Sequence, residues 1–351
     1  MTTSQTMQAY RVPAWGEPAR FMEVPIPTPG PGEILVKVAG ASLCHSDFSM
    51  QQMPQAYGEA LGWQMPFTLG HETGGTVAAV GDGVTALAAG QPVALVSPSS
   101  CGACDFCLRG QDNNCVFGAA GRGYGRDGGL APYVLVDSER GIIPLNTLDP
   151  ATAGPLTDAG ATAIHAVKRV LPKLGAGSTA VIIGAGGLGA FAIQFVRALS
   201  GATVIAVDMN PDRRAIAEEL GAHHASEGVN EHTAAELAKL TGPHGATVVL
   251  DFAGFDATIA AGIATLAPGG SYGLVGAGGG KLDAPWFGGL PRDGEVFTFQ
   301  GSTIADAHDV IRLAESGALR NEIDTYPFAK VAEAYADLEA GRLRGRAVIK
   351  L

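Results

Sequence analysis

The sequence has no block of clustered Lys and Arg. Its 23 basic residues face 34 acidic ones, a net charge of −11 over 351 residues. A nucleic-acid surface concentrates cations to neutralise phosphates, so that class of partner is disfavoured. No apolar run approaches the roughly 18 residues of a membrane span. The opening MTTSQTMQAYRVPAW also lacks the charged start and apolar stretch of a secretory signal. The expectation is a soluble, cytoplasmic protein with neither a nucleic-acid nor a membrane partner. Charged residues are scarce at 16% while hydrophobic ones reach 46%, which describes a well-buried globular chain rather than a disordered one. Cysteine is scarce too: five residues, an odd number, four of them between positions 101 and 115. In a cytoplasmic chain such clustering points to metal rather than disulfides.

Glycine is what the chain has in excess. Its fifty glycines fall in short runs such as GAGGLG and GAGGG with no fixed period, so a collagen-like or repeat organisation fails. A chain of this length favours two domains. The first part reads as β-rich, with EILVKVAGASL (33–43), TVAAVG (76–81) and QPVALV (91–96) as short strands between turn signals. Beyond residue 155 the rhythm changes. TAVIIG (179–184) is a continuous apolar strand, followed by a helix through Leu199 and the strand TVIAVD (203–208). Asn210 and Pro211 supply an N-cap and a first helical position for a helix running to Gly221. TVVLD (247–251), DATIAAGIATL (256–266) and SYGLVG (271–276) continue the alternation, which means a doubly wound parallel sheet. After residue 298 helices near 306–316 and 330–340 precede a last strand near 347–350.

VIIGAGGLG sets Gly184, Gly186 and Gly189 in a GxGxxG spacing at the end of a strand, together with Gly187 and Leu188. The first glycine permits the turn, the second admits a pyrophosphate and the third lets helix and strand pack closely. The helix N-terminus then offers free N–H groups to phosphates. Asp208, nineteen residues past Gly189, ends the next strand, where an acid accepts ribose hydroxyls. A glycine turn with Asp208 capping the following helix is the bland alternative. The carboxylate would repel the 2′-phosphate of NADP by about 4 kcal/mol at ~4 Å and an effective dielectric of ~20. Arg213 and Arg214 soften this, but Met209 rather than Arg follows the acid, so NAD(H) is favoured. Cys101, Cys104, Cys107 and Cys115 form C-x2-C-x2-C-x7-C. Four thiolates close a tetrahedron around structural zinc, with an iron–sulfur cluster as the competing occupant.

The fifth cysteine, Cys44, lies in LCHSD, and His71 lies in GHETGG. With the four-cysteine lobe, GAGGLG and its acid, and a late Arg-Gly-Arg, these motifs resemble the medium-chain zinc alcohol dehydrogenase family over essentially the whole chain, in particular its bacterial NAD-dependent secondary-alcohol dehydrogenases. The resemblance implies an α/β protein with a β-rich GroES-like catalytic domain at 1–158, a Rossmann domain at 159–298 and a return segment at 299–351. It implies two Zn2+ ions per chain, one structural and one catalytic, the latter held by Cys44 and His71. The third ligand is usually Cys, yet every other Cys is already used. The matching position in PLTDAGATAIHAV is Asp158, as in some bacterial members, with a helix cap as the alternative role. Asp47 would orient His71, and Glu72 would lie behind the metal as an outer or transient ligand.

The implied chemistry is hydride transfer between an alcohol, made acidic by zinc, and NAD, giving an aldehyde or ketone. Ser46 matches the hydroxyl that takes the substrate proton, and Thr162 the position that packs on nicotinamide. His45 and Arg346, or Arg344 in its place, match the pyrophosphate contacts, while Arg213 and Val275 complete the cofactor set. One departure is Ser49, where many members have a His that releases the proton. Phe48, Tyr57, Trp63, Trp286 and Phe287 lie in segments expected to border the zinc. Aromatic walls suit an apolar or aryl alcohol, with a polyol or amino-alcohol as the alternative. The resemblance further implies a homodimer or homotetramer.

Overall fold

Strand Ile34–Ser42 is the spine of the first unit, because both of its faces are apolar. A computed structural model describes residues 5–351 apart from Pro98, Glu231, Ala284 and Trp286. On one face of the spine Ile34, Val36 and Val38 pack against Val77, Val93, Leu95, Val134, Val136 and Ile142. At its far end Ala41, with Leu43 just beyond the strand, joins a second core with Val12, Leu69, Leu130, Val331, Tyr335 and Ile349. Each fully buried Val or Leu contributes about 1.5–3 kcal/mol, so the spine anchors the unit from both sides.

The sheet around it runs Ile142–Pro144, Pro92–Leu95, Glu72–Val80, Ile34–Ser42, Arg346–Lys350 and Ile323–Pro327, with Tyr133–Val136 also paired to the spine. The C-terminal strand is antiparallel to the spine, with Val348 opposite Ser42 and Ile349 opposite Ala41. The chain thus returns at its end to the sheet it began. This unit takes in residues up to Ala161, Gly301–Gly317 and Ile323–Leu351.

The second unit, Thr162–Gln300 with Ala318–Glu322, holds a six-stranded sheet. Its order is His224–Glu227, Thr203–Asp208, Thr179–Ile183, Ala246–Asp251, Leu266–Leu274 and Glu295–Thr298, and every neighbouring pair is parallel. In chain order that is 3-2-1-4-5-6. The order reverses beside Thr179–Ile183, and the crevice outside the strand ends at such a point is where this architecture binds ligands. The strand His224–Glu227 and helix Thr233–Thr241 carry no apolar run that announces them. HASE is a short, polar edge strand whose place is set by its pairing with Thr203–Asp208. Among the described residues no helix is long and apolar enough to cross a membrane.

Candidate catalytic and cofactor sites

Strand register assembles the first cluster. Ser42 lies opposite Glu72 in the antiparallel pair, so Cys44, just beyond one strand, and His71, just before the other, reach the same end of the sheet. The turn after Cys44 is fixed by Asp47, whose Oδ2 accepts the Cys44 N–H at 2.9 Å. Asp158 comes from a π-helical turn, Leu156–Gly160, that leads into the helix Ala161–Val170, and such turns often mark functional positions. Pro155, not Asp158, occupies the cap position.

The donor atoms of Cys44, His71, Glu72 and Asp158 all lie within 4.8 Å of one another. His71 Nε2 is 3.6 Å from Asp158 Oδ2, and His71 Nδ1 is 3.4 Å from Asp47 Oδ1. Among the described residues neither ring nitrogen has a hydrogen-bond partner, although the side chain is buried. A tetrahedral zinc with donors at about 2.0–2.3 Å holds them about 3.3–3.8 Å apart. The His71–Asp158 spacing falls in that window, and the orphaned Nε2 is the nitrogen such an ion would take. The residues present fit a zinc ion.

Electrostatics point the same way. Burial pushes the Cys44 thiol up, but Arg346 and then His71 pull it down to about 7, against Asp158. Burial also disfavours a charged His71, yet Tyr124, Asp158, Asp47 and Cys44 more than reverse this and raise its pKa well above the ordinary value. Both shifts come from the same crowding of Cys44, His71, Asp158 and Arg346 into one buried space. Glu72 is already served: Ser42 Oγ donates to its Oε2 at 2.5 Å, and Arg346 forms a buried ion pair with both oxygens. Arg346 Nη2 also lies 3.7 Å from Asp158 Oδ2. Expected at a pyrophosphate, Arg346 is 5% exposed and held within this cluster; Arg344 is exposed.

The four-cysteine segment closes on itself through a short helix, Asp105–Leu108, and a tight turn at Asp112–Asn114. Its sulfurs stand 3.5 Å apart for Cys104–Cys107 and 3.9 Å for Cys101–Cys107 and Cys104–Cys115, the edge lengths of a zinc–thiolate tetrahedron. The N–H groups of Ala103 and Cys104 donate to Cys101 Sγ. Backbone N–H groups of Cys107 and Val116 lower Cys104 to about 6. Burial, and then Cys104, push Cys107 up to about 12, a conflict that a bound cation removes.

In the second unit Gly184 turns with φ +85°, a region that an L side chain rarely enters. A Cβ on Gly189 would stand 1.9 Å from the Gly184 carbonyl oxygen, so only glycine lets the helix Gly189–Leu199 start there. Leu188 is its cap residue, and the Gly186 carbonyl accepts the Ala190 N–H. Gly187 lies between them. Asp208 is buried, with Oδ2 accepting the Ala185 N–H and Oδ1 the Asn210 N–H. A carboxylate has about four acceptor sites, which leaves capacity for a sugar hydroxyl. The Arg213 guanidinium borders Gly186, while Arg214 donates to the Asp208 and Met209 carbonyls. Val275 donates to the Asp251 carbonyl at the adjoining strand end. The tight glycine cradle fits a dinucleotide phosphate.

Residues 30–147 match the family described as "Alcohol dehydrogenase GroES-like domain", and 187–316 match "Zinc-binding dehydrogenase". An NAD-dependent alcohol dehydrogenase of Sulfurisphaera tokodaii is 34% identical, covering 98% of this chain and 99% of its own. A D-arabinose 1-dehydrogenase (NADP(+)) of Saccharolobus solfataricus is 31% identical over 95% of each chain. Among solved structures, the alcohol dehydrogenase of Aeropyrum pernix superposes with a TM-score of 0.91 at 32% identity, covering 98% of this chain and 100% of its own. The chain belongs to the medium-chain zinc alcohol dehydrogenase family. It is an oxidoreductase of the α/β class, with a GroES-like domain and a Rossmann domain.

Within this alcohol dehydrogenase the other expected residues are distributed unevenly. Ser46 Oγ is 3.4 Å from the Tyr124 hydroxyl, and the Tyr124 ring lies 4.5 Å from the His71 ring. Tyr124 was not singled out from the sequence. Its only signal is a lone aromatic in the glycine-rich GRGYGRDGG that follows the cysteines. Trp63 is buried in the core, its Nε1 donating to the Ala119 carbonyl and its ring edge-on to Phe67 and Tyr124. Phe48 packs edge-on to Tyr335. Tyr57 and Phe287 are exposed, at 61% and 81%, and Trp286 lies outside the described residues. His45, the residue before the short helix Ser46–Gln51, and Ser49 within it are exposed, and Thr162 is half-buried in the second unit.

Proposed function

We propose that the protein is an NAD-dependent alcohol dehydrogenase that binds two zinc ions, one at Cys44, His71 and Asp158 and one at Cys101, Cys104, Cys107 and Cys115. The observation that carries this reading is the convergence of Cys44, His71 and Asp158, while the fourth candidate donor, Glu72, is occupied by Arg346 and Ser42. The residues up to 158 and from 299 onward carry the metal chemistry, and 159–298 carry the dinucleotide. The protein works in the cytoplasm as a homodimer or homotetramer.

Zinc at the first site supplies Lewis acidity toward an alcohol or carbonyl oxygen, and NAD(H) supplies the hydride acceptor or donor. The protein's own part is positioning and proton handling. Cys44 and Asp158 together match the charge of a divalent ion. Asp47 faces His71 Nδ1 and so fixes which ring nitrogen is left for the metal. Ser46 Oγ receives the substrate's hydroxyl proton, with the Tyr124 hydroxyl beside it to share it. Ser49 brings no titratable group to the exit path, so the proton leaves through Ser46 and solvent. Asp208 favours NAD over NADP.

The substrate is an apolar or aryl alcohol, primary or secondary. Supporting this is the aromatic face of Tyr124 beside His71, backed by Trp63. The sugar-oxidising relative keeps a polyhydroxylated substrate as the second reading. A panel of alcohols, aldehydes, ketones and aldoses, assayed with NAD(H) and NADP(H), tests both. Turnover of aryl alcohols with NAD is expected; turnover of aldoses alone would overturn the substrate reading.

A further inference from the structure

The hydroxyl of Tyr335 is a buried polar group close to the first metal cluster to which the reaction assigns no part. Tyr335 sits on the helix Val331–Glu339 in the return segment and is 6% exposed. Its ring stacks on Tyr10 at 5.9 Å and meets Phe48 edge-on at 5.7 Å. From that apolar bed the hydroxyl donates to Asp47 Oδ2 at 2.9 Å, across 288 residues of sequence. Asp47 is fully buried. The same Oδ2 accepts the Cys44 N–H, so two donors converge on one oxygen and leave Oδ1 facing His71 Nδ1.

We infer that Tyr335 is a positioning residue for the catalytic metal: its hydroxyl locks the Asp47 carboxylate in the orientation that aims His71 at the ion. With only the Cys44 N–H, the carboxylate retains freedom to rotate about its Cβ–Cγ bond, and Oδ1 loses its fixed bearing on the imidazole. The second donor removes that freedom. The return segment therefore contributes to the metal centre through a hydrogen bond as well as through Arg346. The inference rests on the zinc reading given above.

Tyr335→Phe keeps the ring contacts and deletes only the donor. The apoprotein, prepared with a chelator, is titrated with zinc against a chromophoric competitor, and the retained structural ion is followed by elemental analysis. The variant should bind the first-site ion about 10-fold more weakly, the low end of the 10–100-fold cost of losing a group that orients a metal-bound histidine. The four-cysteine ion should be unaffected. In an Asp47→Asn background the same change should cost nothing further, because its effect runs through Asp47. Equal losses in both backgrounds, or a lowered melting temperature with unchanged zinc affinity, would overturn the inference and leave the zinc reading standing. Wild-type protein with no chelator-labile zinc dependent on Cys44 would overturn both.

Discussion

Asp158→Ala separates a metal ligand from a merely structural carboxylate. In the protein Asp158 Oδ2 stands 3.6 Å from His71 Nε2 and 3.7 Å from Arg346 Nη2. If its role were only to pair with Arg346, its removal would be mild, because Glu72 retains that guanidinium on two oxygens. If it is the third ligand, Cys44 and His71 alone remain. Losing an outer group around a zinc ligand costs about 10–100-fold in affinity, so losing the ligand itself should exceed ~100-fold, or about 2.7 kcal/mol. Dialysis against metal-free buffer followed by elemental analysis should then give one zinc per chain for Asp158→Ala against two for wild type, with the fold preserved by circular dichroism. Asp158→Cys restores a donor at the same place and should regain the second ion. An Asp158→Ala protein that holds two zincs at wild-type affinity with near-normal turnover would refute the ligand assignment.

Other expectations follow from the same geometry. Asp208→Asn removes a charge that opposes a 2′-phosphate by about 4 kcal/mol before screening; the NADP-to-NAD ratio of kcat/KM should rise 10–100-fold, and a wild type that already prefers NADP would defeat the argument. Cys107→Ser, at a buried position, should release the four-cysteine zinc alone and lower the melting temperature, while metal dependent on Cys44 stays; loss of both ions together would contradict two independent sites. Tyr124→Phe keeps the ring on His71 but deletes the hydroxyl near Ser46. One hydrogen bond of about 1 kcal/mol predicts a roughly five-fold fall in kcat with two zincs retained, and an unchanged kcat would remove that hydroxyl from the proton path.

What could be read from the sequence is what local chemistry dictates. Thr203–Asp208 reads directly as a strand because every residue from Val204 to Val207 is apolar and buried. Asn210 announces its cap, and its side chain accepts the Asp212 N–H. The cysteine spacing encodes its own loop. What could not be read depends on register between distant strands. Nothing near Arg346 in sequence announces its contact with Glu72: pairing of Val348 with Ser42 and of the Leu43 N–H with the Ala347 carbonyl carries it toward Cys44 and onto that carboxylate. Tyr335 and Tyr124 were silent for the same reason: nothing near either in sequence shows what its hydroxyl meets.

The placement of Arg346 also supports the proposal of Asp158 rather than Glu72 as the third ligand. Cys44, Glu72 and Asp158 each bring a negative charge into a space where donor atoms lie within 4.8 Å. At ~4 Å and an effective dielectric of ~20, each like-charged pair costs about 4 kcal/mol, so three unmatched anions there are untenable. Arg346 cancels one. Its ion pair with Glu72 is fully desolvated, and breaking such a pair costs about 3–5 kcal/mol because the abandoned charge stays buried. Glu72 therefore cannot turn to a metal without leaving Arg346 uncompensated, whereas Asp158 keeps only a 3.7 Å approach to that guanidinium. Two negative charges remain, Cys44 and Asp158, and a single divalent cation balances them. Glu72→Gln should accordingly disturb Arg346 and stability more than zinc content, the opposite ranking from Asp158→Ala. A Glu72→Gln protein that loses its Cys44-dependent zinc while keeping its melting temperature would reverse the assignment of the two carboxylates.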